Sequence, residues 1–248
     1  MIRQEEHIIT LVGAGGKTSL MFALARAFRD RGEKVITTTT TRIRVPTRQQ
    51  SKNLVLLDNA DDYKSQVEKD LTRTGHVTLA EKRLPENKVQ GIDSRVLEDI
   101  FTASSADRMI VEADGARGMS LKAPGKHEPV VPAATDLFIA MTGLDCIGQP
   151  LTDDHVFRPQ LVASLTGQKS GSTITTETIA RLIVHPKGMC KGCPHNSRIV
   201  IFLNKADNFL ALKKARKIIK SVQGRERQTS FNWVVGSLIN PNAHTLFF

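Results

Sequence analysis

Cysteine and the large aromatics are scarce here: three Cys, one Trp and one Tyr in 248 residues. So few cysteines cannot staple a chain of this length, and an odd count fits a reducing compartment, so a cytoplasmic location is expected. One Trp and one Tyr leave few stacking platforms, which makes single-stranded nucleic acid an unlikely partner. No apolar run approaches membrane-spanning length, and the opening MIRQEEHIIT, with Arg3, Glu5 and Glu6, lacks the apolar core of a secretion signal. Acidic charge is also in short supply: 25 Asp and Glu against 35 Lys and Arg leave a formal +10, which suits anionic ligands or an acidic protein partner. The densest basic stretch, LALKKARKIIKS, alternates lysines with Leu210, Leu212, Ala215, Ile218 and Ile219 at helical spacing and reads as a solvated helix face. One more absence is local. The usual phosphate loop, G-x-x-x-x-G-K-[ST], requires glycine five positions before Gly16, and Leu11 stands there.

Short, nearly continuous apolar runs recur: IITLV, KVITTT, NLVLL, HVTLA, RMIVE, DLFIAM, RIVIFLN and NWVVGSLI. Continuous rather than alternating apolarity predicts strands covered on both faces. Helical patterns separate them at 17–31, 61–72, 94–103, 176–185 and 208–222. The alternation predicts an α/β fold: a doubly wound, mainly parallel sheet with helices on both faces, like the P-loop NTPases. From Gly143 to Arg198 the strand signal gives way to polar and helical pieces, so residues 1–248 read as one nucleotide-binding domain with a helical insertion or cap at about 143–198.

LVGAGGKTSL follows a strand and precedes an amphipathic helix, the context a phosphate loop requires. Its candidate phosphate ligands are Gly13, Ala14, Gly15, Gly16, Lys17, Thr18 and Ser19: glycines admit oxygens close to backbone amides, and the helix N-terminus adds partial positive charge. Lys17 can neutralise phosphate, and Thr18 can offer its hydroxyl to Mg²⁺. The shorter G-x-x-G-K-[ST] spacing resembles the loop of the Mur ligase group of ATP users. RMIVEADGARG delivers Glu112 and Asp114 at the C-terminal end of a strand, where either carboxylate can hold Mg²⁺ or orient an attacking water. Glu112 to Gly115 also has the E-x-x-G form of GTPases that serve metal-cofactor assembly. Arg117 follows, either as a phosphate ligand or as a surface residue.

RIVIFLNKADN ends in Asn204, Lys205, Ala206 and Asp207, the N-K-x-D pattern of GTP-binding proteins. An Asp carboxylate there can accept two N–H bonds from guanine, an edge adenine lacks, although Asn and Asp capping the next helix would look similar. Gly236 and Ser237 could offer amides to the base. The threonines Thr37 to Thr41, before Arg42, either face the nucleotide or simply suit a strand. Cys190, Cys193 and His195 have metal-like spacing but want a fourth ligand, Cys146 being distant, so free cysteines are the better reading. His155, His185 and His244 have no evident partner and read as surface or packing residues.

Taken together, LVGAGGKTSLMFALA, VITTTTTRI, VEADGARGMSLKAPGKHEPVVP and FLNKAD resemble the YqeC family, described as accessory proteins of selenium-dependent molybdenum hydroxylases or selenium cofactor biosynthesis proteins. The resemblance implies a cytoplasmic nucleoside-triphosphate-binding protein with functional positions at Gly13, Gly16, Lys17, Thr18, Glu112, Asp114, Lys122, His127 and Glu128. It also implies a partner, a molybdenum hydroxylase or another selenium cofactor assembly protein. VFRPQ, Val156 to Gln160, departs from the family's V-H-R-P-E, and Cys190 and Cys193 stand where Leu and Val are common. The leading expectation is a Mg²⁺-dependent NTPase, GTP over ATP, with Lys17, Glu112 and Asp114 catalytic. An ATP-dependent activating enzyme and a nucleotide-holding scaffold without turnover are the alternatives.

Overall fold

The computed structural model describes residues 2–59, 62–225, 231–239 and 246–247. The chain runs from β1 (Ile8–Gly13) into α1 (Lys17–Arg29), then β2 (Val35–Thr39), β3 (Arg42–Arg44), β4 (Leu54–Leu56) and α2 (Tyr63–Thr74). β5 (His76–Ala80), β6 (Lys82–Leu84), β7 (Lys88–Gln90), α3 (Ser94–Thr102), β8 (Arg108–Glu112) and β9 (Leu121–Lys122) follow. β10 (Leu137–Gly143), β11 (Val156–Phe157), α4 (Pro159–Thr166), α5 (Thr176–Val184), β12 (Arg198–Asn204), α6 (Phe209–Gln223), β13 (Asn232–Val235) and β14 (Leu246–Phe247) complete it.

Nine strands form one sheet in the order β14-β13-β12-β10-β1-β8-β2-β5-β4. All pairings are parallel except β13 with β14. All eight apolar runs predicted as strands lie in this sheet, and the α/β doubly wound class holds. The reason is visible in the side-chain parity. On one face Ile9, Leu11, Ile110, Ile139, Met141 and Phe202 pack beneath α1 with Met21, Phe22 and Phe28. On the other, Ile8, Ile36, Met109 and Val111 meet Val67, Leu71 and Leu97 from α2 and α3. Farther along that face, Phe138, Ala140, Ile201 and Leu203 meet helices α4 to α6. Both faces being buried, the strands can carry no polar alternation.

Charged tripeptides escaped the apolar signal. Arg42–Arg44 and Lys82–Leu84 flank β7 in a small antiparallel sheet, and Leu121–Lys122 pairs with Val156–Phe157. Between 144 and 197 the chain carries α4, α5, a short 3-10 turn and β11, joined by turns, and α4 has too few turns to show a period. It starts at Pro159, where a fixed φ suits a first helical turn. The predicted start of α2 at Asp61 lies outside the described residues; Asp62 caps the helix, accepting from the Ser65 amide.

Candidate functional site

The C-terminal edge of the sheet gathers the ends of β8, β1, β10 and β12 side by side. Leu11, which replaces the expected glycine, is fully buried inside β1 between Ile139 and Glu112. The strand therefore continues to Gly13 and the turn begins late. Gly13 adopts φ 93°, and a Cβ there would lie 2.3 Å from the Met141 carbonyl oxygen. Gly15 has φ 83°, and its Cβ would lie 2.4 Å from the Gly143 amide nitrogen. No other residue fits this turn.

In this structure three amides expected to meet phosphate already have protein acceptors. Gly13 donates to both Asp114 oxygens at 3.1 Å, Ala14 to the Met141 carbonyl at 2.9 Å and Gly15 to the Met119 carbonyl at 2.9 Å. The cause is the tight fit of the loop between β10 and the 114–120 loop. Among the described residues, the amides of Gly16, Lys17, Thr18 and Ser19 carry no acceptor, and α1 begins on Gly16 with no side-chain cap. That end of the helix is open to an anion.

Lys17 is 4% exposed. Its ammonium donates to the Gly13 carbonyl at 2.6 Å and lies 3.2 Å from Asp114 Oδ1 and 3.7 Å from Glu112 Oε1. Burial opposes its charge, but the Asp114 and Glu112 carboxylates prevail and raise it above the ordinary lysine value. Burial likewise lifts the Glu112 carboxyl above its usual range, with Lys17 and the Thr18 hydroxyl pulling the other way. Thr18 Oγ1 donates to Glu112 Oε2 at 2.7 Å. Asp114 also meets the Lys122 ammonium at 2.9 Å. With two amide contacts and two ammonium groups, Asp114 is saturated and holds the turn.

Thr18 and Glu112 fit a magnesium ion. Their oxygens are hard donors already in contact, and this ion takes one or two protein oxygens and leaves the rest of its sphere to phosphate and water. Among the described residues no three His, Cys, Asp or Glu side chains converge as a metal site. Cys190 and Cys193 pack against the apolar cluster under α5, and burial pushes the Cys193 thiol up to about 11.

The Asn204–Asp207 segment divides its work. Asn204 Nδ2 donates to the Gly15 carbonyl at 2.6 Å, and its Oδ1 accepts from the Leu238 amide at 3.2 Å. Lys205 adopts φ 62° and donates to Ser120 Oγ and Asp145 Oδ2, both at 2.7 Å. Asp207 is exposed and, among the described residues, has no hydrogen-bond donor. Asn208, not this Asp, caps α6, accepting from the Ala211 amide. The Gly236 amide is spent on the Leu203 carbonyl, which removes it as a base ligand.

The threonine run is structural. Thr37 bonds His76 and Thr78, Thr38 donates to the Leu79 carbonyl and Thr39 to the Glu112 carbonyl, all buried. The reading in which these hydroxyls face a nucleotide is set aside for Thr37 to Thr39, because the neighbouring strands consume them, while Thr40 donates to the Val130 carbonyl at 2.7 Å. His185 accepts from the Lys187 amide, and His244 lies outside the described residues.

One group entered the sequence reading only through the family resemblance, which named Lys122 and Glu128 but not their arginine partner. Lys122, 3% exposed, donates to Gly115 O and to Glu128 Oε2, each at 2.7 Å. Arg158 grips both Glu128 oxygens, at 2.6 and 2.9 Å, and its guanidinium stacks on Phe157 at 4.3 Å. Burial opposes the Glu128 charge, yet Arg158 and Lys122 hold its carboxyl down at about 2. Phe157 also sits 5.0 Å from the Arg117 guanidinium, which gives that residue a stacking role. His127 is exposed and joins none of these contacts. The arginine comes from thirty residues beyond Glu128, within the stretch read as the insertion.

A profile of the family described as YqeC protein matches residues 9–160. An Escherichia coli (strain K12) protein described as "Uncharacterized protein YqeC" is 32% identical over 202 residues, covering 80% of this chain and 75% of that protein. Among solved structures, the signal recognition particle receptor FtsY from Elizabethkingia anophelis aligns over 95% of this chain and 52% of its own, at 13% identity and TM-score 0.33. FtsY from Mycoplasma mycoides aligns over 90% and 51%, at 10% identity and TM-score 0.32. The chain thus spans about half the length of these receptors. No described helix is long and apolar enough to cross a membrane.

Proposed function

The chain belongs to the YqeC family, and from that premise and the geometry at Lys17 we propose that it binds a magnesium nucleoside triphosphate, GTP in preference to ATP, and hydrolyses it. The observation that carries this reading is the contact of Lys17 and Thr18 with Glu112 at an uncapped helix start, 3.7 and 2.7 Å. Amides of Gly16 to Ser19 receive the terminal phosphates, and the Lys17 ammonium turns from the Gly13 carbonyl to their oxygens. Thr18 and Glu112 hold the magnesium ion, which supplies charge neutralisation at the transferring phosphoryl group. Asp114, fixed by Lys122, keeps the turn in shape. Asp207 accepts from the guanine edge.

The family resemblance of EADGARGMSLKAP and GKHEP supports a role in maturing selenium-dependent molybdenum hydroxylases, with nucleotide state gating the partner through residues 143–198, an insertion in a single domain. Equilibrium titration with Mg²⁺ and either nucleotide tests the core of this. Saturable binding, tighter for GTP and lost in Lys17→Ala, is expected; no binding at millimolar nucleotide by folded protein overturns it. ATP turnover that requires a small acidic substrate would instead favour the activating-enzyme reading.

A further inference from the structure

α6 buries one face completely: Ala211, Ala215, Ile218, Ile219 and Val222 lie in the core. Its opposite face is cationic and lacks counter-charges. Among the described residues Lys213, Arg216, Lys217 and Lys220 form no ion pair, and Lys214 donates only to the Ile147 carbonyl, at 3.1 Å. Beside this face runs an open groove of about 430 Å³ between α6, residues 147–148 and the start of α5, lined by Lys213, Lys214, Lys217, Leu210 and Ile147 and by no acid. Leu210, in its lining, is 60% exposed, and its neighbour in sequence, Phe209, is 76% exposed. Neither lies on the core-seeking stripe of the helix, so packing does not account for them.

We infer that this groove receives an acidic segment of a partner protein, with an aliphatic or aromatic residue set against Leu210 and Ile147 and carboxylates against the three lysines. Surface ion pairs alone bind weakly, so the apolar anchor beside them is what makes a seat. A flat bilayer does not enter a concave groove, and the groove's lining holds no aromatic ring on which bases could stack. α6 begins two residues after Asp207. A partner held in the groove touches the helix that follows the proposed base-reading carboxylate, although the groove's chemistry stands whether or not nucleotide binds.

The test uses the intact chain and fluorescence anisotropy. The probes are a labelled short peptide of Glu and Asp interrupted by Leu, the same peptide with Ser for Leu, a single-stranded oligonucleotide, and phosphatidylcholine vesicles containing phosphatidylserine. The leucine peptide is expected to bind, with affinity falling at least about tenfold in Lys213→Glu/Lys217→Glu and in Phe209→Ser/Leu210→Ser. Lys82→Glu/Arg83→Glu, an equal charge change on exposed β6, should leave it within a few-fold. An equal loss in that control, equal binding of the serine peptide, or binding only of oligonucleotide or vesicles overturns the inference. Hydrogen exchange on the unsubstituted chain needs no variant to fold: the leucine peptide must slow amides at 147–148 or 209–217, and protection confined elsewhere refutes the seat.

Discussion

At the scale of single residues, the arrangement pairs each charged group with a reason to be buried. Lys17 is tolerable at 4% exposure because two carboxylates lie within 4 Å, and an unpaired ammonium there would cost several kcal/mol. Its partners are also what a triphosphate would compete with, so the resting contacts mark where ligand oxygens belong. Asp207 is the converse case, an exposed carboxylate with no donor among the described residues. Replacing Asp207 with Ala should cost GTP about 1–3 kcal/mol, roughly 5- to 150-fold in affinity, and leave ATP unchanged. Competition titration measures the ratio; an unaltered GTP-to-ATP ratio removes the guanine reading while leaving phosphate binding intact.

Elements set the next level. The loop between β1 and α1 has three fixed points: β10 through Gly13 and Ala14, the 114–120 loop through Gly15, and Asn204 through the Gly15 carbonyl. Side-chain space is absent at Gly15. Gly15→Ala combines a left-handed backbone with collision against the backbone of Gly143, and should lower Tm by about 4–10 °C, corresponding to ~2–3 kcal/mol. Gly32→Ala is the matched control, with φ 85° but nothing within 4 Å of the new carbon. It should lose about 1 kcal/mol, from backbone strain alone. Similar losses in the two variants, measured by thermal unfolding, would show that crowding at Gly15 is unimportant.

Across the whole molecule, stability depends on acid through two groups on separate segments, buried His76 and half-buried Glu128. Burial, with help from the Arg29 charge, lowers His76 to about 4, so the folded state prefers it neutral while the unfolded chain titrates near 6.5. The unfolded state binds more protons between these values, and stability therefore falls as pH drops from 6.5 to 4, by ~3 kcal/mol from this residue. Glu128 adds a second loss between its ordinary 4.5 and about 2, where protonation breaks its hold on Arg158 and Lys122. Urea midpoints across pH check this: His76→Gln should flatten the upper window and leave the lower one, and identical slopes in both proteins would contradict the assignment.

The sequence alone determined the parallel sheet, because strands buried on both faces must be continuously apolar, and eight such runs are legible. It also determined which strand ends carry the polar motifs, since G-x-x-G-K-T, E-A-D-G and N-K-A-D each close a strand. The tertiary structure decided which members of those motifs remain open to a ligand. Gly13, Ala14, Gly15 and Asp114 satisfy one another and their neighbours, whereas Gly16 to Ser19 and Asp207 do not. It also decided that Glu128 meets Arg158, thirty residues away, and that Lys213 and Lys217 border a groove. Periodicity records what each residue must avoid, water or the core; which partner it then meets depends on contacts between distant segments, and those exist only once the chain has closed on itself.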